Sequence, residues 1–235
     1  MKIIGLICAY REQKTIREVV RKTSKYVDKL IVVNDGSDDL TGIILAKETF
    51  KNKKLWIVDY FGNRGKGYAL KQGFKKFLEL DGDILVTLDA DGQHDPEDIK
   101  NLVSLIENRA ADVVIGARYL RNMPRNKVIL NTIANLGLLM ASGTFFSDVS
   151  SGYRAYSKEA VEEILPSMGL DKFGIELEIL KACAENEIRV GVVPVACNYK
   201  EGKKTNLKRL ASGYFQFAWK YKRDMLHHLL VGDKE

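Results

Sequence analysis

Long uninterrupted apolar runs are missing from this 235-residue chain, and with them any stretch able to cross a bilayer. The most apolar window, residues 128–146, is broken by Asn131, Thr132, Asn135 and Ser142 and reads as an amphipathic helix. The opening MKIIGLICAYRE turns polar too soon for a signal peptide. Cysteine is scarce: Cys8, Cys183 and Cys197 show no CxxC spacing and leave one over, against a disulfide framework or a zinc site. A reducing, cytosolic compartment is expected. Acidic residues are absent from Val113 to Ser147, while Arg118, Arg121, Arg125 and Lys127 are present. Between Lys200 and Arg223, eight Lys or Arg accompany the single acid Glu201. The net charge of +6 is therefore concentrated in two anion-attracting regions. No repeat, low-complexity tract or interdomain linker divides the chain, and the first strand lacks the dinucleotide glycine fingerprint, which argues against a dehydrogenase.

What is present has a regular rhythm. Apolar runs of strand length (Ile3–Cys8, Leu30–Val33, Leu55–Val58, Ile84–Leu88 and Val113–Ile115) alternate with helically spaced segments. Leu70, Phe74, Phe77 and Leu78 share one helical face; Ile99, Leu102, Val103 and Ile106 share another, behind an Asp95–Pro96 start. Continuous apolar strands joined by helices predict an α/β fold with a mostly parallel central sheet and helices on both faces. Ligands of such sheets bind beyond the carboxyl ends of the strands. There the polar clusters fall: CAYRE (8–12), NDGSDD (34–39) and DADGQ (89–93).

In LVTLDADGQHDPEDI (85–99) an apolar run ends in two carboxylates, Asp89 and Asp91. Charge at the lip of a core strand is costly unless solvated, paired or bound to a cation. A hard divalent cation shared with a phosphate-bearing ligand would relieve it; a polar turn is the alternative. FGNRGKGYAL (61–70) opens a helix but lacks P-loop spacing. It reads either as a capping turn or as a phosphate contact through Lys66 and free N–H groups. His94 reads as structural.

Taken in order, CAYRE, VNDGSDD, GNRGKGYAL, DADGQHDPED and SGYRAYS (151–157) resemble the family-two glycosyltransferases of GT-A fold. Among these the chain looks most like the dolichyl-phosphate mannosyl- and glucosyltransferases and related polyprenyl-phosphate sugar transferases. The resemblance covers about residues 1–200. It implies a nucleoside-diphosphate sugar donor, UDP- or GDP-linked, held by Cys8, Tyr10, Glu12, Asp35, Lys66, Asp89, Ala90, Asp91 and Lys204. It also implies Mg²⁺ or Mn²⁺ at Asp89, Asp91 and Gln93, with Asp91 and Arg118 as the catalytic pair. Cys8 stands where relatives usually have proline. Asn131 stands where the mannosyltransferases tend to have arginine, which moves the acceptor phosphate toward Arg118, Arg121 and Arg125. YKEGKKTN (199–206) only approximates the relatives' basic loop.

Further absences bear on the acceptor. The only Glu-Asp pair, Glu97–Asp98, falls in a helix's first turn, and the Q-x-x-R-W of processive synthases is missing. A phosphate acceptor needs no catalytic base, being already largely anionic near neutral pH; Glu176 is the fallback base. The tail 207–232 carries Leu207, Leu210, Tyr214, Phe217, Tyr221 and Met225 near helical spacing among basic residues. That pattern suits either a membrane-interface helix or a helix packed on the domain. The expectation is thus a GT-A domain over 1–205 with an amphipathic helical extension over 206–235. The enzyme would be inverting, cytoplasmic and peripheral to the membrane, moving a sugar to a polyprenyl or dolichyl-type phosphate. It would bind no nucleic acid, and a membrane partner protein is left open. The alternatives are transfer to a soluble acceptor, a glycan or a phosphorylated small molecule, and a non-catalytic sugar-nucleotide-binding protein.

Overall fold

The computed structural model describes residues 1–119, 121, 123–172, 174–199, 207–222 and 226. Seven strands run β1 (Ile3–Ala9), β2 (Lys29–Asn34), β3 (Leu55–Asp59), β4 (Ile84–Asp89), β5 (Val113–Arg118), β6 (Arg154–Ser157) and β7 (Val190–Val195). They form one sheet ordered β3-β2-β1-β4-β6-β5-β7. All neighbours are parallel except β6, which runs antiparallel between β4 and β5. The five strands read from apolar runs are all present. β6 was hidden in the SGYRAYS motif, and β7 is a half-exposed edge with weak apolar continuity.

Burial on both faces explains the unbroken apolar strands. In β2, Leu30 and Val32 enter one core with Ile16 and Val20 of α1 (Ile16–Thr23), Leu45 of α2 (Thr41–Thr49) and Ile99 and Leu102 of α4 (Ile99–Glu107). Ile31 and Val33 enter the opposite core with Leu70 and Phe74 of α3 (Lys66–Glu79), Val161 of α6 (Lys158–Ile164) and Ile179 of α7 (Ile175–Glu185). A residue alternation of two places each face of a strand on its own helical layer. The helical faces expected at 70–78 and 99–106 are the ones buried.

A third core joins Ile115 to α5 (Arg125–Ser142), α7 and α8 (Leu207–Lys220), with Tyr214 and Phe217 buried in it. The described part of the tail therefore packs on the domain through one face. Its anchor is Glu178 of α7, fully buried, which accepts from Gly169 N at 2.6 Å, Leu170 N at 2.7 Å and the Tyr221 hydroxyl at 2.6 Å, and pairs with Lys220. The same loop presses on α3. Tyr68 N donates to Asp171 O at 3.0 Å, and a Cβ on Gly67 would lie 2.0 Å from Leu170 O, so only glycine fits there.

The chain winds outward from β1 to β3 on one side, then crosses to β4 on the other. The loops leaving the carboxyl ends of β1 and β4 diverge, opening a crevice at this switch point. Cys8 and Asp89 are register partners at its floor.

Replacing Glu178 with Ala removes the acceptor of two partly buried N–H donors and of Lys220. Urea unfolding should show a loss of about 3 kcal/mol, with the Tyr221 fluorescence environment changing first.

Candidate active site

Three strand ends supply the site. After β2, Asp35 is buried and receives four donors: the Tyr60 hydroxyl (2.9 Å) and Arg64 N (2.8 Å) on Oδ1, and Asn63 Nδ2 (2.7 Å) and Gly65 N (2.9 Å) on Oδ2. It organises the glycine-rich loop that precedes α3. Gly65 has φ +104°, a conformation open to glycine, and lets the helix begin at Lys66. After β1, Tyr10 and Glu12 are half-buried at the rim, and Glu12 N donates to the Thr41 hydroxyl at 2.8 Å.

Lys66 reaches under the crevice, its Nζ 2.8 Å from Asp89 Oδ1 and 2.9 Å from Glu176 Oε1. Burial opposes the charge on Asp89, but the lysine overrides it and holds the carboxyl well below its usual range. Asp91 has no such cation. Burial, and then repulsion from Asp89, push its pKa up to about 6, while Gln93 N donates to its Oδ1 at 3.0 Å. The Gln93 side chain turns to Cys197, whose Sγ lies 3.8 Å from Oε1. Ala90 and Cys8 line the floor, and burial pushes the Cys8 thiol up.

Among the described residues no three His, Cys, Asp or Glu converge as a ready-made metal cage. The donor set nonetheless fits a divalent cation. Asp91 is a strained carboxylate lacking an ion pair, beside ionised Asp89, and Mg²⁺ characteristically takes one or two carboxylates and completes its shell with phosphate oxygens and water.

On the far side, Arg118 closes β5. Its side chain is 10% exposed and pairs with Asp148 through Nε–Oδ2 and Nη2–Oδ1, both 2.8 Å, and donates to Ser150 Oγ at 2.6 Å. Arg121 and Arg125 are exposed at the surface. Lys127, in the first turn of α5, is half-buried; burial, and then repulsion from Arg118, lower its pKa, and it also feels Asp91 and Asp89. Its Nζ lies 4.8 Å from the centre of the Tyr199 ring. Asn131, one turn further along, accepts from Ser150 N at 3.1 Å. Lys204 lies outside the described residues.

The structure thus brings together Cys8, Lys66, Asp89, Ala90, Asp91, Gln93 and Arg118, with Tyr10, Glu12 and Asp35 at the ends of the neighbouring strands β1 and β2. Sequence reasoning did not single out Lys127 as a ligand, nor Asp148 and Ser150. Asp148 ends the acid-free stretch that begins after Asp112, and an acid at the end of a basic segment was the available signal.

The sequence model of the glycosyl transferase family 2 matches residues 6–165. The chain belongs to this family. It is 32% identical over 219 residues to UDP-N-acetylglucosamine–dolichyl-phosphate N-acetylglucosaminyltransferase of Methanococcus voltae, covering 85% of this chain and 87% of that protein. It is 27% identical over 209 residues to polyprenol monophosphomannose synthase of Mycolicibacterium smegmatis, covering 85% and 78%. Among solved structures, glucosyl-3-phosphoglycerate synthase of Mycobacterium tuberculosis, in complex with Mn²⁺, UDP and phosphoglyceric acid, superposes with a TM-score of 0.74 at 20% identity. That match covers 95% of this chain and 78% of that one. The fold is GT-A, and the chain is a glycosyltransferase.

Two substitutions separate the two kinds of carboxylate in this transferase. Asp91→Asn removes a half-buried charge that has no ion-pair partner and should raise the metal-free melting temperature at pH 8. Lys66→Met leaves Asp89 and Glu176 facing each other and should cost ~2–4 kcal/mol in denaturant unfolding, the lower end reflecting partial solvent access.

Proposed function

We propose that this glycosyltransferase moves a single sugar from a nucleoside-diphosphate sugar to a polyprenyl phosphate, with inversion. The observation that carries the reading is the state of the site's carboxylates. Asp89 and Glu176 share Lys66, and Asp148 is held by Arg118. Glu176, the fallback base, is thereby tied to a cation. A hydroxyl acceptor would need a base to take its proton, whereas a phosphate brings its own anionic oxygen. The names of the relatives, a dolichyl-phosphate N-acetylglucosaminyltransferase and a polyprenol monophosphomannose synthase, support the same acceptor class.

In this reading Tyr10, Glu12 and Asp35 border the nucleoside, and Lys66 stabilises the floor beneath the diphosphate. Asp91, with Asp89 and Gln93, would hold Mg²⁺ or Mn²⁺. The cation would neutralise the diphosphate and the charge that grows on it as it departs. Solved neighbours bound to Mn²⁺ with UDP, and to Mn²⁺ with GDP-mannose, agree with a divalent metal in this fold. The acceptor oxygen attacks the anomeric carbon from the face opposite the leaving diphosphate, so inversion follows from a single displacement. Lys127 takes the place the sequence assigned to Arg121 and Arg125 as the acceptor's cation, because it is half-buried beside Arg118 while those two are exposed. Arg118, neutralised by Asp148, positions rather than supplies net charge.

A lipid-linked acceptor requires contact with a membrane surface. No helix among the described residues is long and apolar enough to cross one. The outer face of α5 instead exposes Ile129, Ile133 and Leu136, and that of α8 exposes Phe215 and Trp219. Phe215 and Trp219 stack at 6.3 Å, with Lys222 over the indole at 4.2 Å. Apolar and aromatic side chains rimmed by lysine suit an interfacial position on the cytoplasmic face of an anionic membrane.

Incubation with a panel of UDP- and GDP-sugars, Mn²⁺ and polyprenyl phosphate should give a lipid-linked monosaccharide; equal transfer to non-phosphorylated polyprenol would sink the base-free mechanism. Lys127→Ala should raise the acceptor KM on the order of tenfold or more, the loss of one charge-assisted hydrogen bond, with donor KM unchanged. Co-sedimentation with anionic vesicles should be strong at low salt and weak at high salt. Phe215→Ser with Trp219→Ser should abolish it without lowering the melting temperature.

A further inference from the structure

The SGYRAYS motif lies at the entry to β6, and each of its first four residues is tied to a different part of the site. The Ser151 hydroxyl donates to Gly116 O at 2.7 Å, on the strand that ends in Arg118. The Gly152 carbonyl accepts from the Thr87 hydroxyl at 2.8 Å. Tyr153 is buried; its hydroxyl donates to Asp95 O at 2.9 Å, and its ring lies 4.9 Å from that of His94, in the loop that follows Asp91. Arg154 is buried too, and donates to Val149 O at 2.8 Å and to Glu176 O at 3.1 Å. The backbone of 151–154 cannot shift without breaking several of these bonds at once.

What this segment presents to the crevice is the bare Cα of Gly152. Thr87 and Asp89 are two residues apart on β4 and face the same side of the sheet, so the Thr87 hydroxyl draws Gly152 over the Asp89 carboxylate. A Cβ built on Gly152 would lie 2.8 Å from Lys66 Nζ and 3.0 Å from each carboxylate oxygen of Asp89. Both are well inside the separation at which nonbonded atoms attract. The φ of Gly152 is not positive. A larger residue is therefore excluded by space alone, with no backbone strain to add to it.

Between a pinned backbone and the tip of a lysine, the lysine yields. The Lys66 amine ends a flexible side chain and sits between two carboxylates, 2.8 Å from Asp89 and 2.9 Å from Glu176. A methyl group on Gly152 would push it off this position. The fold would survive, because the core strands are untouched. The ion pair would not keep its geometry.

We propose that Gly152 is a positioning residue: by lacking a side chain it lets the 151–154 segment close over the Lys66–Asp89 pair and fixes the lysine amine between its two carboxylates. Its effect on the reaction runs through Lys66 and Asp89 and rests on the nucleoside-diphosphate donor reading above. A larger residue loosens the Asp89 carboxylate beside Asp91 and so weakens the donor site.

Gly152→Ala adds one methyl group at this contact. Gly137→Ala, within α5 and with nothing inside 4 Å of the added Cβ, is the control. Three measurements on the full chain decide the matter: calorimetric binding of UDP and of GDP with Mn²⁺, the NMR signal of the Lys66 ammonium nitrogen in the ligand-free protein, and the melting temperature. Gly152→Ala should shift the Lys66 signal and raise the nucleotide dissociation constant about tenfold, in the range of a local overpacking, with the melting temperature close to that of the wild type. Gly137→Ala should match the wild type in all three. An unmoved Lys66 signal in Gly152→Ala overturns the proposal. A shifted signal beside undiminished nucleotide binding overturns it as well, since Gly152 would then serve the scaffold alone. If the wild type binds neither nucleotide but the Lys66 signal moves in Gly152→Ala, the positioning stands and the donor reading fails. Should Gly152→Ala not fold, Thr87→Val releases the Gly152 carbonyl without adding bulk beside the amine; the Lys66 signal must still move there, and a silent signal overturns the proposal.

Discussion

Lys66 is where three distant parts of the chain meet. It opens α3, bridges Asp89 at the end of β4 and Glu176 at the start of α7, and lies under the crevice of the sheet. Without it, two carboxylates would face each other in a poorly solvated floor, and one would have to take up a proton. With it, Asp89 is ionised and Glu176 is occupied, so the remaining charge deficit falls on Asp91. The fit of Asp91 to a divalent cation and the engagement of Glu176 by a lysine both follow from this one distribution of charge.

The glycine-rich segment sets where α3 begins and so where Lys66 lies. Asp35 gathers Tyr60, Asn63, Arg64 and Gly65 into a turn, and the carbonyls of Leu170 and Asp171 lie against Gly67 and Gly65. That loop is in turn held by Glu178, which also holds α8. Contacts therefore run from the C-terminal helix through Glu178 and the 169–171 loop to the first turn of α3, where Tyr68 N donates to Asp171 O. The start of α3 and the tail are thus linked through one loop, although they are about 150 residues apart in sequence.

Much was legible from the residues alone. The strand runs gave five of seven strands because burial on both sheet faces demands unbroken apolar sequence. The placement of CAYRE, NDGSDD and DADGQ at strand ends followed from the same rhythm, and their order carried the family resemblance. β6 and β7 escaped because one is four residues long and the other lies on a half-exposed edge, so neither presents a long apolar run.

What the sequence determined by itself was the parallel α/β sheet, the carboxylates at its lip and the two acid-poor basic regions, since these depend on local pattern and composition. Tertiary structure alone decided which charges remain available. Arg118 reads as a free cation until Asp148, thirty residues on, folds against it. Glu176 reads as a base until Lys66 reaches it, and Lys127 reads as one basic residue among several until α5 half-buries it against the Tyr199 ring. The tail reads as either a membrane helix or a packed helix; the fold packs it through Tyr214 and Phe217 and leaves Phe215 and Trp219 exposed. Pairing between residues far apart in the chain leaves no periodic trace in sequence, so the electrostatic state of a site becomes readable only once the chain has closed around it.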